Sequence, residues 1–108
     1  MNRGERRALR HYQRLGYRLL DANVRVGRYE LDLVLRRGRT LLVVEVKAKS
    51  GDEYGHPFEM IDREKARRVY TAAWAWYAAH REASGMELVV EAAAVRGHSV
   101  ESVPLDLE

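Results

Sequence analysis

The stretch from Arg28 to Ser50, RYELDLVLRRGRTLLVVEVKAKS, constrains this chain more than any other. It reads as two β-strands, Tyr29 to Leu35 and Thr40 to Ala48. Leu and Val crowd both halves, and the intervening RRGR offers Gly38 for a turn that needs positive φ. Both runs also carry charge where a buried strand should carry none. Side chains alternate across a strand, so Glu30, Asp32 and Val34 share one face of the first. Leu41, Val43, Glu45 and Lys47 share one face of the second. Pairing Leu35 with Thr40 sets Asp32 opposite Val43 and Glu30 opposite Glu45, with the acids and Lys47 on one side of the sheet. A slip of one residue would send one set to the other face. Neighbouring strands lie about 4.8 Å apart and alternate residues of one strand about 6.8 Å apart, so Asp32, Glu45 and Lys47 can surround a single small site.

Carboxylates at that spacing repel one another, and burying each charge costs several kcal/mol unless it is compensated. A divalent cation is the simplest compensation. Mg²⁺ suits the pattern because it takes one or two carboxylates and fills its remaining positions with waters and phosphate oxygens. Lys47 adds a movable ammonium that can steady a hydroxide or a phosphate oxygen. The ordinary alternative is an exposed cross-strand Glu–Lys pair worth a fraction of a kcal/mol. VEVK alone does not separate the two. The upstream E-x-D in compatible register, and the apolar residues enclosing both motifs, favour the site.

The chain has 108 residues, 46% of them hydrophobic, enough for one domain with a real core and too few for two. It has no cysteine, which excludes disulfides and Cys-based zinc sites. The apolar runs are too short for a membrane span, and charge follows Met1 instead of a signal-peptide core, so a cytoplasmic protein is expected. A net charge of +3 is only mildly basic, and the placement of the arginines says more than their number.

Asn2 can cap a helix from about Arg3 to Leu15, closed by Gly16. Ala8, Leu9, Tyr12 and Leu15 form its apolar stripe; Arg3, Arg7, Arg10 and Arg14 form the opposite one, facing water or a polyanion. Glu5 lies within the apolar stripe, either as a first-turn acid favoured by the helix dipole or at the edge of the metal site. Tyr17 to Val26 reads as a strand with a bend or bulge at Asp21 to Asn23. GDEYGHPF (51–58) reads as a loop whose Tyr54 and His56 could reach a substrate, although a plain surface loop has the same composition. Asp62 can cap a second helix from Arg63 to about Ala83, ended by Gly85. Its core face is Ala66, Val69, Tyr70, Ala73, Trp76 and Tyr77, with Trp74 and Trp76 both read as packing residues. Lys65 sits in the first turn, where cations are disfavoured, as it would if kept to meet phosphate. Met86 to Val95 and Val100 to Leu105 read as further strands, with Glu87 and Glu91 toward solvent. The four histidines show no metal-ligand spacing.

A helix carrying Glu5, E-x-D on a strand, V-E-V-K on the next and a helix opening with Lys65 resembles, in that order, the PD-(D/E)XK nuclease superfamily. More closely, GERRALRHYQRLGYRLLDANVR, YELDLV, LLVVEVKAKS, YGHPFEMID and KARRVYTAAWAWY resemble the uncharacterised bacterial YraN family over almost the whole chain. That resemblance implies an α/β fold with a restriction-endonuclease-like α-β-β-β-α-β core, a central mixed sheet flanked by helices. It makes Asp32 and Glu45 the metal-binding acids, Glu5 the acid of the first helix and Lys47 the lysine of the motif. Glu30 becomes an accessory acid and Lys65 the basic residue of the second helix. The superfamily includes archaeal Holliday-junction resolvases, which act as homodimers on branched DNA. Mg²⁺ or Mn²⁺, nucleic acid (DNA foremost) and a homodimer are therefore the expected cofactor and partners. Tyr29 stands where the family usually has Gly, which narrows the site, and Ala48-Lys49 replaces the usual Thr-Arg. The reading is one nuclease-like domain over residues 1–108 that hydrolyses phosphodiester bonds in structured or branched DNA. Arg3, Arg7, Arg10, Arg14 and Lys65 would hold the backbone. A non-catalytic nucleic-acid-binding or adaptor domain is the alternative, because fold alone does not carry activity.

Overall fold

In a computed structural model, which describes residues 1–48 and 61–105, Asn2 caps helix α1 (Arg3–Arg14). The Asn2 side chain accepts from the Glu5 N–H, and the Glu5 carboxylate accepts from the Asn2 N–H. Such a reciprocal cap is worth about 1 kcal/mol. The helix closes before Gly16, which takes φ +94. Ala8, Leu9 and Tyr12 are buried along one stripe, but Leu15 is not its fourth member. As the C-cap residue it leaves the helix axis and is 49% exposed.

The sheet has five strands in the order β1 (Arg18–Val26), β2 (Tyr29–Arg37), β3 (Thr40–Ala48), β4 (Glu87–Arg96) and β5 (Ser99–Pro104). All neighbours are antiparallel except β3 and β4, which run parallel. A parallel pair needs a crossover. Helix α2 (Arg63–Ala79) and a 3₁₀ turn over Arg81–Ala83 lie between the two strands in the chain. Ala8, Leu9 and Tyr12 of α1 pack on Leu33, Leu35, Leu42 and Val44. On the opposite face Val69, Ala73 and Trp76 of α2 pack on Leu31, Val34, Leu41 and Val43. A strand covered on both faces has no polar side to offer, so Leu41 to Val44 are all buried and the alternation of β3 disappears there. Each such Leu or Val stabilises the fold by about 1.5–3 kcal/mol. This is the restriction-endonuclease-like α/β core anticipated from the motif order. None of the described helices is long and apolar enough to cross a membrane.

The hairpin register differs from expectation. Arg37 pairs with Thr40, and the loop shrinks to Gly38 and Arg39, with Gly38 at φ +59. A two-residue loop with glycine first matches the strand twist, and the arginines that read as turn residues extend the ladder instead. The shift is even, so faces are preserved and Asp32 advances from the level of Val43 to that of Glu45. The regular ladder ends at Leu33↔Val44; beyond it the Val46 N–H donates to Asp32 Oδ2 at 2.8 Å.

Alternation also fails near Asp32, because Tyr29, Leu31 and Val34 all pack toward α2. Opposite this break, between the pairs Ala22↔Leu33 and Val24↔Leu31, Asn23 adopts φ +48, and β1 carries a bulge at Leu19/Asp21. The break turns Tyr29 inward and leaves Glu30 exposed beside Arg25, so Glu30 does not face Glu45. Glu91 differs as well. It is half-buried and accepts from the buried Tyr12 hydroxyl at 3.0 Å.

Asp62 caps α2 by accepting from the Lys65 N–H at 2.8 Å. The regular helix stops at Ala79, and the chain then passes through the 3₁₀ turn to Gly85 at φ +84. Trp76 is buried, donates to Asp21 Oδ2 at 3.1 Å and stacks on the His80 ring at 3.7 Å. Trp74 is 53% exposed, against the expectation that both tryptophans pack. It points away from the sheet on the outer face of the helix.

Candidate functional site

Asp32, Glu45 and Lys47 converge at the C-terminal end of β3, beside the opening turns of α1 and α2. There α1 lies so close that a Cβ on Gly4 would come within 2.7 Å of the Ala48 Cβ. Glu45 is 5% exposed, and its carboxylate is gripped from three directions. Lys47 Nζ lies 3.6 Å and Lys65 Nζ 3.4 Å from Oε1, while the Tyr29 hydroxyl donates to Oε2 at 3.0 Å. Lys65 thus reaches back from its helix turn to a carboxylate of the sheet. Asp32 uses Oδ2 to accept from Val46, and no described residue hydrogen-bonds its Oδ1.

The charges perturb one another strongly. Burial, and then the neighbouring Glu45 charge, push the Asp32 carboxyl up to about 7, against the pull of the Val46 N–H. Glu5 adds to the rise and Lys47 opposes it. Burial, and then the facing Lys65 ammonium, hold Lys47 below its ordinary value. Lys65 also loses solvation, but the Glu45 carboxylate beside it outweighs that loss and raises it. Burial and the adjacent Glu45 charge keep the Tyr29 hydroxyl protonated, and therefore a donor, well above neutral pH.

Glu5 takes the first of its two expected roles, as the first-turn acid that closes the α1 cap. It is buried, one oxygen closes the α1 cap, and the other accepts from Asn23 Nδ2 at 3.1 Å. Its charge still reaches Asp32. Among the described residues, no three His, Cys, Asp or Glu side chains converge closely enough to hold a metal ion. The donor set nearest to that role is the pair Asp32 and Glu45, with Glu5 held just behind by its hydrogen bonds.

The arginine stripe is not part of this cluster. Arg7 donates to the Gly97 carbonyl and so ties α1 to the β4–β5 turn. Arg3, Arg10 and Arg14 are exposed, and Arg14 lies roughly 14 Å along the helix axis from Glu5. Tyr54 and His56 lie outside the described residues. Asn23 and Tyr29 emerge as site residues with weaker sequence signals. Asparagine tolerates the left-handed conformation better than most residues, and a tyrosine just before the E-x-D gives no hint of its direction until alternation breaks.

A five-stranded mixed sheet between two helices makes this an α/β protein whose architecture is consistent with a restriction-endonuclease-like core. The chain belongs to the uncharacterised protein family UPF0102, whose profile matches residues 4–96. This is the family anticipated from the YraN resemblance. It is similar to a UPF0102 protein of Clavibacter michiganensis, 41% identical over 83 residues, which cover 77% of this chain and 70% of that one. A UPF0102 protein of Renibacterium salmoninarum is 43% identical over 77 residues, covering 71% of this chain and 65% of the relative. One from Syntrophotalea carbinolica is 38% identical over 93 residues, covering 86% and 75%.

Proposed function

We propose that this protein is a metal-dependent phosphodiesterase acting on nucleic acid, with DNA of branched or otherwise structured form as the substrate class. The observation that carries the reading is the convergence of Asp32, Glu45, Lys47 and Lys65 at one strand end. The donor set fits a hard dication. Burial and the Glu45 charge raise the cost of ionising Asp32, Asp32 Oδ1 is free of described partners, and Mg²⁺ or Mn²⁺ needs only one or two carboxylates when water and phosphate supply the rest. Asp32 and Glu45 would hold the ion. When bound, such an ion supplies Lewis acidity toward a phosphoryl oxygen and acidifies water.

The remaining work falls to the chain. Glu5, fixed by Asn2 and Asn23, orients a water beside Asp32 and adds negative potential there. Lys47, an ammonium beside Glu45, orients the attacking water or stabilises charge on the phosphoryl oxygens. Lys65 stays charged and balances a phosphoryl oxygen as negative charge accumulates. Tyr29 fixes the rotamer of Glu45.

The test is cleavage of linear, flapped and four-way DNA in Mn²⁺ by wild type, Glu45→Ala and Lys47→Ala. Wild-type cleavage that falls at least a hundredfold in both variants supports the reading. Cleavage that both retain removes these residues from the mechanism. A second reading, a nucleic-acid-binding adaptor without catalysis, draws on the grip of Lys47, Lys65 and Tyr29 on Glu45, which neutralises that acid without a metal. Calorimetry separates the two. Mn²⁺ binding that Asp32→Asn abolishes belongs to the enzyme; no Mn²⁺ heat alongside salt-sensitive DNA binding belongs to the adaptor.

A further inference from the structure

We propose that Lys65 is the resident counter-ion of Glu45 and gives way to the dication, so that metal binding releases its ammonium for an incoming phosphate. This rests on the metal reading above and adds the order in which the site fills and the residue that moves. Glu45 is buried, and a buried carboxylate needs a partner. Tyr29 donates to Oε2, while the ammoniums of Lys47 and Lys65 share Oε1. Neither lysine is close. At 3.6 and 3.4 Å, both lie beyond the roughly 2.8 Å of a charge-assisted hydrogen bond. Two like charges crowd one oxygen, and each keeps the other from a nearer approach. They neutralise Glu45 by charge and not by a directed bond. A small dication bonds a carboxylate oxygen more closely than either ammonium does here, and Asp32 Oδ1, without a described partner, offers it a second oxygen.

Lys65 is the one placed to leave. Lys47 stands on the same strand as Glu45 with its side chain 17% exposed, whereas that of Lys65 is 30% exposed. Lys65 also sits in the first turn of α2, where the helix dipole repels a cation, and its contact with Glu45 offsets that repulsion. A hollow of about 260 Å³ opens beside it, walled by Tyr29, Asp62, Glu64 and Arg68. Its two acids suit an ammonium turned away from Glu45. Asp62 already holds the Lys65 N–H through Oδ1, and Glu64 pairs with Arg68 at 2.7 Å. The flexible four-carbon stem of a lysine can make that turn without moving the helix.

The metal-free protein is thus stabilised by the same lysine that the phosphate requires. An ammonium engaged by Glu45 is a poor partner for a phosphoryl oxygen, and one released into the hollow is a good one. Metal and phosphate therefore strengthen each other's binding, and by linkage Lys65 weakens the metal by whatever it contributes to the metal-free state.

Calorimetry with Mn²⁺ compares wild type, Lys65→Met and Lys65→Gln, each checked for native circular dichroism and melted in EDTA. Both variants should bind Mn²⁺ about tenfold more tightly than wild type, yet melt at a lower temperature without metal. A second measurement follows the lysine itself in the wild-type protein. Mg²⁺ is titrated into protein carrying ¹³C-lysine, and the chain has only three lysines to resolve. The Lys65 Cε signal should move toward the position of an exposed lysine as Mg²⁺ binds. Mn²⁺ affinities of the variants within about twofold of wild type overturn the proposal. So does a Lys65 signal that saturating Mg²⁺ leaves in place, because tighter binding would then reflect repulsion at a distance without exchange. No Mn²⁺ heat from any of the three proteins sinks the metal reading and this inference with it. Release of Lys65 by metal in a protein that never cleaves DNA leaves this inference standing and sinks the catalytic reading alone.

Discussion

Asp32→Asn should make the metal-free protein more stable at alkaline pH, although it removes a proposed metal ligand. Asp32 has a folded-state pKa of about 7 against an ordinary 3.8. An acid raised in this way binds its proton more tightly when folded. Its contribution to stability is fully present below about pH 4 and is lost as pH rises through about 7. A shift of about three units corresponds to at most about 4 kcal/mol at 1.36 kcal/mol per unit. Asp32 is only half-buried, and solvent screening brings the expected cost to about 2 kcal/mol. The asparagine of the variant has no proton to lose, and its amide oxygen can still accept from the Val46 N–H.

Urea unfolding in EDTA, followed by circular dichroism at steps from pH 4 to pH 8, reads this directly. The variant should gain about 2 kcal/mol over wild type at pH 8, roughly 10 °C in Tm for a domain of this size, and the gain should vanish toward pH 4. Mn²⁺ should then raise the wild-type Tm and leave that of the variant unchanged. A variant less stable than wild type at pH 8, or with the same pH slope, would show that the acid pair carries no stored repulsion.

Two further outcomes follow from packing. Gly4→Ala replaces a helical glycine, which ordinarily gains about 1 kcal/mol, yet its Cβ would meet the Ala48 Cβ at 2.7 Å. It should destabilise by about 1–2 kcal/mol net and lower cleavage by displacing Glu5; a rise in Tm would refute the close approach of α1 to β3. Tyr12→Phe strips the half-buried Glu91 of its donor and should cost about 1–2 kcal/mol in thermal unfolding, while adding Glu91→Leu should recover most of it. Equal stability of Tyr12→Phe and wild type would mean that the pair contributes nothing.

Much of the site was legible before any coordinates, because some constraints are local. Gly16, Gly38 and Gly85 mark backbone positions that need positive φ, and the helix starts at Asn2 and Asp62 follow from the side chains that cap them. The parity that places Glu45 and Lys47 on one side of β3 survives any even slip of register, which is why a hairpin misaligned by two residues still delivered Asp32 to the right face. Lys65 is set by a helix whose start and period are plain in the chain.

Other features depend on contacts between distant segments. Asn23 leaves the extended conformation where β2 loses its alternation, and only that break sends Tyr29 to Glu45 and Glu30 to solvent. Glu91 turns inward because Tyr12 arrives from α1, and Trp74 stays outside because Val69, Ala73 and Trp76 take the face of α2 that meets the sheet. From composition, spacing and family motifs came the elements, their order and the side of the strand that bears charge. Tertiary packing alone decided which neighbour each charge meets, since hydrogen bonds and burial between elements are settled by geometry that no single segment contains.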